Sequence, residues 1–278
     1  FAILNGDFIY EEKRDYSPDQ WLEQTAADSL PRTVELAPNI VGVWENYKLY
    51  LDRGENLAAW HRVIPSFFTF DDHEILNDVY GSAEVGRRDR RAVFRDIGVK
   101  AWYDYLGWSN PIPPTRPILF GRAELEAGSD ILIDAEANFT TLNLEETPTL
   151  HVHWGTPDAG VNTGVSDSEG GDANSRVYEI VQILDSHRLR LRPEAKASGS
   201  ASYSIGQLSH FRMRVSNSDF FFLDTRTFRQ MHDVSNPSRK GVSMLGRTQK
   251  AWLKDEMQSS DAKFFFVISS VNLMIPHV

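Results

Sequence analysis

Cysteine is absent from the 278 residues, so neither a disulfide nor a thiolate metal site can form within them. That absence does not fix the compartment. No apolar run approaches the roughly 20 residues that a membrane-spanning helix needs. Positive charge is in deficit, with 29 Lys and Arg against 39 Asp and Glu and a formal net charge of −10. A nucleic-acid partner is therefore not expected, because a broad contact with a phosphate backbone calls for the opposite sign. The balance does suit a site that gathers carboxylates around cations. No internal repeat is visible, and only the Gly, Ser and Asp stretch near residue 170 approaches low complexity. Residue 1 is Phe, and no signal-peptide or transit-peptide pattern is read within these residues. The chain opens on an apolar strand already under way and closes at Pro276-His277-Val278, just past another. The expectation is a segment truncated at both ends, with any export signal upstream.

What is present is enough apolar and aromatic residues to bury a core, as one large domain or a domain with an insertion. Ala2 to Leu4 reads as a strand ending in the turn Gly6-Asp7. Val43, Trp44, Tyr47, Tyr50 and Leu51 recur at helical spacing. Residues 64–70 read as a buried strand with Asp71-Asp72-His73-Glu74 at its carboxyl end, in a strand-to-helix turn. A helix is expected over 90–106, stopped by the Pro-rich segment 111–117. Short alternating segments follow at 130–135, 150–154, 177–184, 189–191 and 211–215, separated by Gly, Asp and Ser clusters. That is an antiparallel β-rich pattern. Residues 220–223, 246–258 and 264–271 then read as strand, helix and strand of a parallel crossover, with Trp252, Leu253 and Met257 facing the core. The expected layout is an α/β core over 1–119 and 216–278, interrupted by a β-rich insertion over 120–215. Phe67, Phe68, Phe264, Phe265 and Phe266 are most simply core.

Three acidic clusters fall at expected strand ends: Gly6-Asp7, Asp71-Asp72-His73 and Asp224. The carboxyl ends of strands in an open α/β sheet form the crevice where ligands bind. Carboxylates converging there repel one another unless a cation neutralises them, and hard cations take oxygen ligands. Glycine lets the backbone turn sharply, so Asp7 can point over the sheet edge. Its two oxygens can bridge ions about 3.5–4 Å apart. Tyr10 can return to the same crevice, and a phenolate is a good ligand for ferric iron. In the second cluster one Asp can hold a metal, Asn77 can offer its carbonyl oxygen, and His73 can hydrogen-bond a phosphoryl group. The plain alternative is a helix cap at Asp71 or Asp72 with His73 exposed. Arg226 can bind two phosphate oxygens at once, or can pair structurally within an Asp224–Arg226 or Asp224–Arg229 couple.

Taken in order, Gly6-Asp7-Phe8-Ile9-Tyr10-Glu11, Thr69-Phe70-Asp71-Asp72-His73-Glu74 with Asn77-Asp78, and Leu223-Asp224-Thr225-Arg226-Thr227-Phe228-Arg229 resemble the signature of PhoD-like phosphatases. Met244 to Leu253, with Leu245-Gly246, Gln249 and Trp252-Leu253, is similar to a helix of that family. The resemblance covers about residues 1–110 and 216–278. It implies a calcineurin-like metallophosphoesterase with a four-layered αββα sandwich, exported to the periplasm, cell surface or medium, that cleaves phosphomonoesters and phosphodiesters with ferric iron and calcium. It implies Asp7 as a bridging ligand, Tyr10 as the ferric ligand, and Asp72 with Asn77 at the second cation group. His73 and Arg226 would act on the phosphate during attack by a metal-bound hydroxide. Whether Asp71 or Asp72 faces the metal stays open. The family's upstream Asp or Cys ligand segment and its later Gly-Asp-x-His segment lie outside these residues, so this stretch alone is expected to hydrolyse little. The rival readings are a phospholipase D-type phosphodiesterase and a non-catalytic binding protein.

His151-Val152-His153 alternates on an expected strand, which puts both imidazoles on one side and allows a metal chelate. Ordinary strand histidines are the alternative. His187, His210 and His232 are isolated, and His277 follows an expected strand end. The run Arg87-Arg88-Asp89-Arg90-Arg91 reads as a solvated helix entrance.

Overall fold

The structure is a computed structural model that describes residues 1–112, 117–147, 149–153, 173–206, 208–231, 235–236 and 238–272. His232, His277 and most of the 164–174 stretch lie outside the described residues.

The chain runs β1 (Ala2–Asn5), α1 (Pro18–Thr25), α2 (Arg32–Leu36), α3 (Ile40–Arg53), α4 (Glu55–His61) and β2 (Ser66–Thr69). It continues with α5 (Arg90–Val93) and α6 (Arg95–Tyr105), then β3 (Leu119–Leu125), β4 (Ile131–Ile133), β5 (Leu150–Val152), β6 (Val177–Ile183), β7 (Arg188–Arg192) and β8 (Gly199–Ile205). The last elements are β9 (Phe211–Val215), β10 (Ser218–Phe222), α7 (Gly246–Ser259) and β11 (Phe264–Ile268). The result is a mixed helix and strand fold with two small sheets and a closed barrel. No described helix is long and apolar enough to cross a membrane.

β1 and β2 pair in parallel, with Leu4 opposite Phe68. β11 pairs in parallel with β10, and β9 joins β10 antiparallel. Helices α3 and α6 cover the first sheet with one apolar cluster that includes Ile40, Val43, Tyr47, Phe68, Phe70, Ile97 and Trp102. Tyr47 stacks on Tyr105 at 5.2 Å, and Trp102 meets Phe70 edge-on at 5.3 Å. The spacing of apolar residues on α3 is what makes it a helix with one buried face.

The barrel closes in the order β3-β4-β7-β6-β5-β8, all antiparallel. β7 shows why: Leu189 and Leu191 point inward while the arginines between and beside them point out. Its interior cluster, with Leu132, Phe139, Leu150, Tyr178, Leu189 and Tyr203, is separate from that under α3 and α6.

Several expectations are corrected. The 90–106 helix is two helices that part at Phe94, whose amide is shared between the Arg90 and Arg91 carbonyls at 3.2 Å each. No helix starts at the carboxyl end of β2. Residues 71–79 form turns, with Ile75 N–H bonded to the Asp72 carbonyl at 2.8 Å, so neither Asp71 nor Asp72 is a helix cap. The strand at 211–215 belongs to the β10 sheet rather than to the barrel. Phe264, Phe265 and Phe266 are not core: they are 57%, 41% and 45% exposed. Among the described residues β11 has one strand neighbour, β10, against which Phe266 stacks on Phe220 at 4.8 Å.

Candidate metal and phosphate site

The carboxyl ends of β1, β2, β10 and β11 meet at one place. Beyond β1, Gly6 and Asp7 both have positive φ, +83° and +55°. A Cβ on Gly6 would lie 2.6 Å from Asp71 Cβ and 2.9 Å from Asp71 N, so only glycine allows the two loops this approach. Ser270, just past β11, donates to Asp71 Oδ1 at 2.9 Å and shares a 2.5 Å hydrogen bond with Thr225. Asn5 Nδ2 donates to the Ser269 carbonyl at 2.5 Å.

Asp7, Asp72 and His73 each offer a ligand atom within 4.8 Å of the others. Arg226 reaches in from the loop after β10; its Nε pairs with Asp71 and its Nη2 lies 2.9 Å from Asp72 Oδ1. Asp72 also accepts the Asp78 amide at 2.6 Å. Burial first, then the charges of Asp71 and Asp72, push the Asp7 carboxyl above its ordinary range, while His73 and Arg226 pull it down. Such crowding is relieved by a cation, and the oxygens and imidazole present suit a hard or borderline one. The residues therefore fit a metal ion.

Tyr10 lies against the His73 ring, 4.2 Å between centroids. The charge of Asp7, followed by burial and Asp72, raises its phenol pKa and disfavours the phenolate, which a nearby cation would favour. Asn77 is exposed; its N–H donates to Glu11 Oε1 at 2.6 Å and its carbonyl accepts from Arg91 at 3.1 Å.

Three supporting residues had no role assigned from sequence. Glu74 is fully buried and accepts the amides of Asp7 at 3.0 Å, Phe8 at 2.5 Å and Asp71 at 2.7 Å, tying the two acidic loops together. Burial pushes its pKa up to about 7, against the pull of those amides. Glu11 accepts from His73 Nδ1 at 2.8 Å and orients the ring. Burial opposes the charged imidazole, but Glu11, with Asp72 and Asp7, raises the His73 pKa above its usual value. Buried Arg14 donates to the His73 carbonyl at 2.8 Å and the Ile75 carbonyl at 3.1 Å. Its position in Glu11-Glu12-Lys13-Arg14 looks like a surface charge run. Glu11 and Glu74 stand inside the quoted motifs, and that was the available signal.

Asp224 forms neither of the ion pairs expected as alternatives. It accepts the Arg226 and Thr227 amides at 3.1 and 2.9 Å, and pairs with Arg95 at 3.4 Å. Gln249 on α7 grips its backbone from both sides, accepting from Asp224 N and donating to Asp224 O, each at 2.8 Å. The His151–His153 chelate is also corrected. His151 Nδ1 meets Asp96 at 2.8 Å and Nε2 meets the Ser82 carbonyl at 2.7 Å, which leaves no nitrogen for a metal. His153 Nε2 bonds Ser204 at 3.0 Å, and burial pushes its pKa down to about 4.

Comparison with curated proteins gave no match. Among solved structures, the chain is similar to one titled "Structure of PhoD", with 16% identity, a TM-score of 0.46, and coverage of 95% of this chain and 35% of that one. The chain thus spans about a third of that protein's length. The family profile of the PhoD-like phosphatases matches residues 1–125 and 203–277, and the chain belongs to that family.

Proposed function

We propose that this chain carries part of a metal-dependent phosphoesterase that hydrolyses phosphomonoesters, phosphodiesters or both. The observation that carries the reading is the meeting of Asp7, Asp72, His73 and Arg226 at the carboxyl ends of separate strands. In this reading Asp7 and Asp72 would hold the metal, with Asn77 contributing to a second cation. Asp71, engaged by Arg226 and Ser270, supports rather than ligates. Tyr10 would be the ligand if one cation is ferric iron, and calcium would suit the carboxylate oxygens. Cations held there would lower the pKa of a water and neutralise charge on the phosphoryl oxygens. His73, steadied by Glu11, donates a proton or hydrogen bond to a phosphoryl or leaving oxygen. Arg226 offers its guanidinium to the phosphate and is prepositioned by the Asp224 turn.

The same reading divides the chain into a core over 1–119 and 216–278 and an insertion over 120–215 that holds the barrel, with β9 leading back into the core sheet. It takes the core as part of an αββα sandwich and the protein as one acting outside the cytoplasm, both by family membership.

The test is to express the full-length protein that contains this chain, measure its bound metals, and assay a chromogenic phosphomonoester and a phosphodiester with and without calcium. Asp7→Ala and Asp72→Ala should each remove metal and turnover together. A protein that binds neither iron nor calcium and turns over neither ester would leave a non-catalytic binding protein. Full activity in Asp7→Ala would refute the assignment.

A further inference from the structure

His151 lies on barrel strand β5, yet its ring is spent on the core. Nδ1 faces the Asp96 carboxylate at 2.8 Å and Nε2 faces the Ser82 carbonyl at 2.7 Å. The ring therefore bridges a carboxylate on α6 and a backbone carbonyl of the loop before α5.

Two routes lead from that ring to the loop bearing Arg226. Along the first, Asp96 also accepts from Ser204 of β8 at 2.8 Å and from Arg95 at 2.9 Å. Arg95 in turn bonds Thr227 Oγ1 at 3.0 Å and Asp224 at 3.4 Å, and Asp224 holds the amides of Arg226 and Thr227. Along the second, Ser82 stands between Gly81, whose amide donates to the Arg229 carbonyl at 2.7 Å, and Ala83, whose amide donates to the Thr227 carbonyl at 2.9 Å. The two routes grip residues 224–229 from either side.

His151, Asp96, Arg95, Asp224 and Ser82 are all buried. Removing the imidazole leaves the Asp96 carboxylate and the Ser82 carbonyl without their buried partner, and the groups it held must move to relieve it. The nearest consequence is a shift of the Asp224 turn, and with it of the Arg226 guanidinium beside Asp71 and Asp72.

We infer that His151 is a positioning residue for the phosphate-binding Arg226, so that the barrel sets the geometry of the anion site in the core. This rests on the reading of Arg226 as a phosphate contact. It is a claim about placement, since His151 touches neither ligand atoms nor substrate.

The test uses the full-length, metal-loaded enzyme, with inorganic phosphate as a competitive inhibitor. His151→Gln, Arg226→Ala and the double variant are compared below their unfolding temperatures, with metal content measured for each. His151→Gln should raise the phosphate Ki and the KM about tenfold, the scale seen when a supporting partner of a ligand is lost. Metal content should stay unchanged. In the Arg226→Ala background the same substitution should change Ki less than about twofold, because positioning a missing group has no effect. An unchanged Ki in His151→Gln, or the same tenfold loss in both backgrounds, overturns the inference while leaving the phosphate reading intact. No effect of Arg226→Ala on Ki removes both. Should His151→Gln fail to fold, Ser204→Ala removes one bond of the same network. It should then raise Ki about threefold only when Arg226 is present, and an unchanged Ki overturns the inference.

Discussion

The motif residues of this chain are held in place by partners chosen for shape as much as for charge. Gly6 is required because a side chain there would collide with Asp71. Gln249 is required because its amide satisfies both backbone groups of Asp224, one as acceptor and one as donor. Gln249→Ala should leave those buried groups unpaired and cost about 2–3 kcal/mol, read as a shift in the urea midpoint. Gln249→Glu keeps an acceptor for the Asp224 amide but buries a carboxylate oxygen against the Asp224 carbonyl, so it should cost at least as much as Ala. Equal stability of all three would mean that water replaces the clamp. Asp7, Asp72, His73 and Arg226 could be picked out because an acid, a histidine or an arginine beside a strand end is conspicuous in a linear string. Glu11 and Glu74 are marked only by standing inside the motifs and Arg14 by nothing, since their roles depend on which loops fold back onto them. A charged residue in a polar stretch looks the same whether it is solvated or, like Arg14, fully buried.

At the level of elements, strong periodicity was readable and weak periodicity was not. α3 declared itself through its apolar stripe and β7 through its Arg-Leu alternation. β8, Gly-Ser-Ala-Ser-Tyr-Ser-Ile, gave little signal, because its small polar residues carry no hydrophobic contrast. It is nevertheless central to the barrel, pairing with β3 over seven positions and with β5 on its other edge. The turn over 71–79 resembles a helix start because its acids look like caps, whereas Glu74 accepts loop amides from across the site. β10 and β11 make a direct comparison. Both are Phe-rich and pair in parallel, but Phe222 is buried and Phe264 is exposed. In this chain Phe222→Ala should cost about 3–5 kcal/mol and Phe264→Ser less than about 0.5 kcal/mol, measured by chemical unfolding. Comparable losses at the two positions would place β11 in the core after all.

For the whole molecule, local order in the sequence recorded the site but not the union of barrel and core. Arg95, Asp96, His151 and Ser204 contribute a buried part of that union, and they lie in segments whose pattern says only helix or strand. Its energetic signature is an acid limit. Burial works against the Asp96 carboxylate, but His151 and Arg95 outweigh it and hold its pKa well below the ordinary range. Asp219 is likewise depressed, chiefly by Arg214, against the cost of burial and with help from Ser260 and Arg212. A carboxyl whose folded pKa is depressed binds fewer protons than its unfolded counterpart. It therefore contributes stability above the unfolded pKa of about 4, and that contribution drains away as pH falls toward the folded value. The urea midpoint of the chain should accordingly hold steady from about pH 5 to 7 with respect to these two groups and drop steeply below about pH 4. Asp96→Asn removes one of the two, so its midpoint should start lower at neutral pH and fall less steeply on acidification. Parallel acid slopes for the two proteins would mean that Asp96 titrates alike in the folded and unfolded chains, and that the charge network joining barrel to core contributes nothing to their union.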